Sequence, residues 1–211
     1  MLLNNHLIIF TRFPEPGQTK TRLIPVLGAE KAAELQRKMT EKTAGETSNL
    51  QTKLNLPVSV FYTGGSSRNI SAWLGNSFIY QRQCGGNIGC RMADAFTRTF
   101  RHTSGSVILI GSDIPELTSA IVETAFTSLK TNDCVFGPSR DGGYYLIGIN
   151  DKSSHHLVNI LFDQMPWSTD KVLETSLQRV SDSELSYSLL KRLSDIDRPE
   201  DIDVAKKMGL L

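Results

Sequence analysis

Two cations, Lys20 and Arg22, flank Thr21 just beyond the turn of Pro16-Gly17 in the stretch TRFPEPGQTKTRL, with Arg12 a further cation upstream. Two cations and a hydroxyl at this spacing can clamp a phosphate chain through charge-assisted hydrogen bonds. The stretch is not a P-loop, because the second glycine directly before the lysine is missing. A solvated pair of loop charges is the competing reading, and position in the fold decides between the two.

Three other stretches carry groups that could act with these cations. In ILIGSDIPELT an apolar run delivers Asp113, a carboxylate suited to Mg²⁺ or Mn²⁺, which need only one or two protein carboxylates when phosphates supply the other oxygens. The same aspartate could instead cap a helix or form a turn ahead of Pro115. In GPSRDGGYYLIG, Arg140 and Asp141 precede Gly142 and Gly143; Asp-Gly is a hairpin signal, and paired glycines let a backbone approach a ligand closely. QCGGNIGCRM sets three glycines, Gly86 among them, ahead of a helix with Arg91 in its first turn, where free N–H groups could meet a ligand. DIDRPED reads as a helix start, with Pro199 first and Glu200 and Asp201 in the opening turn, and needs no function to explain it.

The elements that must position these groups follow from hydrophobic periodicity. Buried strands are expected at residues 7–11 and 107–110, further strands at 58–62, 134–136 and 144–149, a brief one at 78–81, and an edge strand at 185–190. Helices are expected from residue 29 to about 46, at 67–74, along Ile88, Met92, Phe96 and Phe100, along Ile121 to Leu129, around Leu173, Leu177 and Val180, and after Pro199. Strands alternating with helices imply an α/β fold: a three-layer α/β/α sandwich with a mostly parallel, doubly wound sheet, as a single domain over residues 1–211. Ligands of such sheets collect beyond the carboxyl ends of the strands, which puts the cation loop, Asp113 and the Asp141 loop on one rim.

Bulk properties narrow the partners. The 211 residues suffice for one sizeable core, and 23 basic against 22 acidic side chains, net charge +1, provide no broad field for nucleic acid or an anionic membrane. No stretch approaches membrane-spanning length and the apolar start is too short for a secretory core, so the expected location is cytoplasmic. Cys84, Cys90 and Cys134 form no C-x-x-C pair and read as reduced thiols, and the four histidines fall in no metal-ligand spacing.

In order along the chain, FTRFPEPGQTKTRL, the glycine loop with GCRMADAF, LIGSDIPELT, GPSRDGGYYLIG, MPWST and DIDRPED resemble a family of A-type (GT-A fold) glycosyltransferases. Some members are linked to arsenosugar biosynthesis, and the family is related to the nucleotidyltransferases of molybdenum-cofactor and 2-phospholactate synthesis. The resemblance implies a nucleotide-diphospho-sugar transferase-like fold, a nucleoside-diphosphate sugar donor, a small-molecule acceptor and a divalent cation, Mg²⁺ or Mn²⁺. It implies that Lys20 and Arg22 meet the phosphates, with Arg12, Gly17, Gly86 and Arg91 also on the nucleotide side. Asp113 would hold the metal, Asp141 with Gly142 and Gly143 would line the donor or acceptor pocket, and Trp167 would lie toward the acceptor. An inverting transferase would need a base near the acceptor hydroxyl, and Asp141 is the rim carboxylate nominated besides Asp113, the two forming the catalytic pair. Asn87 and Cys90 stand where acidic residues are expected, and Arg198 where a threonine cap is usual. Two alternatives are a nucleotidyltransferase joining a nucleoside triphosphate to a phosphorylated small molecule, and a non-catalytic nucleotide-binding protein.

Overall fold

Side chains of successive strand residues point to opposite faces of a sheet, so an unbroken apolar run must be covered on both sides. The computed structural model describes residues 5–211 and shows this directly; the first four residues of the apolar start, which enter the expectation about location, lie outside the described span. Strand β1 (His6–Arg12) sends Leu7 and Ile9 into one core and Ile8 and Phe10 into the other. Strand β2 (Val58–Thr63) divides in the same way, with Val58, Val60 and Tyr62 opposite Phe61. Each fully buried Leu, Ile or Phe contributes roughly 1.5–3 kcal/mol of apolar burial, so these central strands anchor the molecule.

The remaining strands are β3 (Ile79–Arg82), β4 (Val107–Gly111), β5 (Cys134–Pro138), β6 (Tyr144–Ile149) and β7 (Tyr187–Leu189). They form a seven-stranded sheet in the order β3-β2-β1-β4-β6-β5-β7. Every neighbouring pair is parallel except those made by β6, which runs antiparallel to both β4 and β5. Helices α2 (Ala29–Leu54), α3 (Ser67–Leu74) and α5 (Ser119–Ser128) cover one face. Helices α4 (Ile88–Phe100), α6 (Ser154–Phe162) and α7 (Val172–Asp182) cover the other. A third cluster joins the start of α2 to the terminal helix α8 (Ile202–Lys207) through Leu35, Met39, Ile202 and Ala205. The short helix α1 (Ile24–Leu27) leads into α2. The three-layer sandwich with a mostly parallel sheet is the architecture expected from the sequence.

Some elements differ from that expectation: α1 forms within the stretch expected to be loop, and β7 is shorter than the edge strand expected at 185–190. Helix α2 continues past residue 46 to Leu54, through Thr47 and Ser48, residues of modest helix propensity. Its continuation is carried by Leu50, which is buried, and by Thr47 and Ser48, whose hydroxyls donate to the Ala44 carbonyl. Helix α6 was not anticipated in the loose-looking stretch after Asn150; Leu157 and Leu161, one turn apart, bury completely against α4 and the sheet.

Candidate active site

The parallel register pairs Phe10 with Gly111, so β1 and β4 end side by side and release Arg12 and Ser112-Asp113 at the same rim. Because β6 is antiparallel, the β5–β6 hairpin that carries Arg140 and Asp141 turns at that rim as well. The three loops expected to share one edge of the sheet therefore do so.

Beyond β1 the chain folds back so that Lys20, in the left-handed conformation (φ 49°, ψ 45°), points inward. A non-glycine residue held there costs of order 1–3 kcal/mol, which surrounding contacts must offset. Only 5% of the Lys20 side chain is exposed, and its ammonium lies between two carboxylates, 3.3 Å from Asp113 Oδ2 and 3.4 Å from Asp197 Oδ1. Arg22, largely exposed, donates to the other oxygen of Asp197.

Asp197 comes from DIDRPED, and its part in the site was missed in the sequence. In Asp195-Ile196-Asp197 the central isoleucine is fully buried in the cluster under α8, and its N–H donates to the Asp113 carbonyl at 3.1 Å. Alternation along this extended stretch then turns both aspartates toward the rim. The signal was present as a D-x-D spacing around an apolar residue, but the helix start that follows accounted for the motif by itself. Asp201 accepts from the N–H groups of Asp197 and Arg198 at 3.0 and 2.8 Å, so the missing side-chain cap at Arg198 is offset from the other end of the turn.

Two clefts open here. The larger, about 710 Å³, has an apolar wall including Met92, Tyr144 and Trp167, and a rim of Arg22, Arg140, Asp141, Gly143, Asp195 and Asp197. The smaller, about 230 Å³, includes Arg12, Arg91, Gln36 and Gln83. Phe10, Ile88 and Asp113 line both, so Asp113 stands where they meet. Burial, then the nearby carboxylates of Asp141 and Asp113, push the Asp195 carboxyl up to about 6. The site thus holds more negative charge than its low-dielectric surroundings favour.

Supporting contacts hold these groups in place. Under the junction, Ser112 Oγ donates to Thr11 Oγ1, Gln36 Nε2 donates to Ser112 and Thr40, and Thr11 bonds Thr40. This buried network ties β1, β4 and α2 together below Asp113. Arg91 donates to Gln83 Oε1 at 3.2 Å, while Gln83 Nε2 donates to the carbonyls of Thr11 and Phe61. Asn87, where an acidic residue was expected, accepts from Cys90 N–H at 2.9 Å and caps α4. Asp113 caps no helix: the opening amide of α5, Ser119 N–H, is met by Glu46.

Asp141 spends one oxygen on its own turn, accepting from Ser139 Oγ and from Gly143 N–H at 3.0 Å. Trp167 stacks on Phe162 with centroids 6.2 Å apart and lies directly over Gly89, where a Cβ would fall 2.2 Å from the indole nitrogen. Gly17, Gly86 and Gly142 line neither cleft; all three have positive φ, and Gly142 packs against the main chain of Asp170. They shape the loops rather than face the space a ligand would take. The three cysteines are free thiols.

For a metal, the oxygens of Asp113 and Asp197 are the fitting donors, because they already share one cation in Lys20. Among the described residues no three His, Cys, Asp or Glu side chains form a cage. A cation here would therefore draw further oxygens from phosphate or water, as Mg²⁺ commonly does.

Sheet order, the single antiparallel strand and the polar rim together define the nucleotide-diphospho-sugar transferase-like fold. A protein of Desulfovibrio desulfuricans G20, provisionally named a nucleotide-diphospho-sugar transferase, is 29% identical, with a TM-score of 0.88 over 99% of this chain and 88% of its own. The 4-diphosphocytidyl-2C-methyl-D-erythritol synthase of Anaerococcus prevotii DSM 20548 shares the fold at 12% identity (TM-score 0.65; 99% and 97% covered). So does the inositol-1-phosphate CTP transferase of T. maritima at 15% identity (TM-score 0.56; 100% and 96% covered). No curated protein matches the sequence. The chain belongs to the family described as "Uncharacterized protein conserved in bacteria (DUF2064)", whose model matches residues 46–169.

Proposed function

We propose that this protein is a metal-dependent glycosyltransferase that takes a nucleoside-diphosphate sugar as donor. The observation that carries the reading is the pairing of Lys20 with Asp113 and Asp197 at the junction of the two clefts, beside Arg22. A diphosphate laid across this junction would meet Arg22 on the larger cleft, with Lys20, which lines neither cleft, behind Asp113 and Asp197, and with Arg12 and Arg91 along the smaller cleft toward the nucleoside. Asp113 and Asp197 would hold Mg²⁺ or Mn²⁺, which when bound supplies charge to stabilise the departing diphosphate. The larger cleft, with Trp167 and Tyr144 on one side and Asp141 on the other, has room for the sugar and an acceptor hydroxyl. Asp141, whose second oxygen is not used by its turn, is the candidate to accept the hydroxyl proton.

A nucleotidyltransferase is the second reading, supported by the cytidylyl-transferring relatives that share the fold. Against it, the β1 loop carries a single glycine, Gly17, where nucleotidyltransferases often show a richer glycine loop before the cation pair. Thermal shifts with nucleoside diphosphates, triphosphates and nucleotide sugars, with and without Mn²⁺, on the parent protein and Asp113→Ala separate the two. The expected outcome is metal-dependent stabilisation by a nucleotide sugar that disappears in the variant. Preference for a triphosphate would favour the second reading, and no shift with any nucleotide would end both.

A further inference from the structure

A lysine buried to 5% exposure in a left-handed backbone conformation is an unusual group to place between two carboxylates. Its burial is tolerable only because Asp113 and Asp197 neutralise it, and they tolerate each other only because it lies between them. Arg22 adds a second cation on Asp197, while Asp195, a third carboxylate, stands near enough to feel both Lys20 and Asp113. Asp113 and Asp197 are also the carboxylates a divalent cation would need. A metal entering alone must displace the ammonium from both carboxylates it contacts, leaving it Asp195, which makes no direct contact with it, or else remain beside it with like charges in contact.

We infer that Lys20 is an internal placeholder for the metal: its ammonium bridges Asp113 and Asp197 in the ligand-free protein and yields them only when a diphosphate supplies it with another anion. This rests on the metal reading given above. Lys20 thereby has two positions, one on the carboxylate pair and one on the phosphates, and the left-handed residue that carries it lies two positions before the largely exposed Arg22. Metal and nucleotide then bind as a unit. Each raises the affinity of the other, as reciprocal linkage demands, and metal alone binds weakly. The site is thereby kept from loading a cation that has no phosphate to act on.

The test is a titration with Mn²⁺ alone, following free Mn²⁺ by electron paramagnetic resonance, on the parent protein, Lys20→Met and Lys20→Arg. Methionine keeps the length of the side chain without the charge, so Lys20→Met should bind Mn²⁺ at least about tenfold more tightly than the parent. Lys20→Arg, which retains the charge, should show no gain. Lys20→Met that is folded, with one cooperative melt, yet binds Mn²⁺ no more tightly would overturn the inference, as would an equal gain in Lys20→Arg. If Lys20→Met does not fold, Lys20→Gln, which can still donate to one of the two carboxylates, carries the same comparison. Nucleoside diphosphate with Mn²⁺ on the parent protein is measured in parallel: its failure to bind would remove the transferase reading, while the Mn²⁺-only comparison would still decide the role of Lys20.

Discussion

At Asp141 two roles compete for one carboxylate. The Oδ1 atom closes the β5–β6 turn by accepting from Ser139 and Gly143, a role asparagine can fill in part, whereas accepting a proton from a substrate hydroxyl requires the charge. Asp141→Asn should therefore keep stability within about 1 kcal/mol of the parent, while Asp141→Ala, which leaves the Gly143 N–H without its acceptor, should lose about 1–2 kcal/mol. If Asp141 is the base, the asparagine variant should also lose at least about a hundredfold in turnover with an intact melt. Unchanged turnover in Asp141→Asn would leave it a turn residue only. The comparison also shows why sequence could nominate the residue without assigning its role: Asp-Gly is favoured by turns and by chemistry for different reasons, and spacing carries both. Lys20, Arg22 and Asp113 were legible because each follows directly from a strand end or its loop. Asp195 and Asp197 were not, because they reach the site through a long return of the chain, and the nearby Pro199 gave the motif a sufficient local explanation.

Elements place these residues by close approach, and glycines mark where it happens. Gly89 lies in the first turn of α4 with ordinary helical backbone, so Gly89→Ala suits the helix, yet the new methyl would overlap the Trp167 ring. The expected result is a folded protein with a displaced Trp167, seen as a change in tryptophan emission; under the proposed function, acceptor binding weakens while donor binding is retained. Gly142→Ala differs, because its Cβ would meet the Asp170 main chain at 2.2 Å and its φ of 89° disfavours a side chain. It should cost about 2 kcal/mol or more and loosen the hairpin from the loop before α7. Equal effects of the two substitutions would contradict this distinction between a side-chain and a backbone neighbour. The order and type of most elements were legible because the central strands are apolar on both faces and most helices carry a single stripe. Helix α6 was not, since His155 and His156 and a short length obscure its Leu157–Leu161 spacing, and the end of α2 depends on hydroxyl-to-carbonyl bonds that propensity scales do not weigh.

Across the whole molecule, buried ionisable groups at the two ends of the sheet respond oppositely to pH. At the amino edge, burial lowers His6 from 6.5 to about 4 while its ring bonds Ser59. The unfolded chain therefore takes up a proton at His6 that the folded protein refuses, and stability falls as pH drops from about 6.5 to about 4. At the rim, Asp195 is raised from 3.8 to about 6, so the folded protein holds a proton that the unfolded chain has already released. That contribution is greatest at low pH and is lost as pH rises from about 4 to about 6. The two slopes oppose each other in nearly the same window, which predicts a shallow stability profile for the parent in metal-free buffer. Asp195→Asn removes one slope. Its melting temperature should exceed that of the parent at about pH 8, the advantage should vanish near pH 4, and acidification should now destabilise the variant steadily through the His6 window. A gain of the same size at both ends of the range would mean that the stabilisation does not come from the buried charge. The expected gain at neutral pH has an electrostatic reason: a carboxylate held among other carboxylates at the mouth of the cleft opposes the folded state.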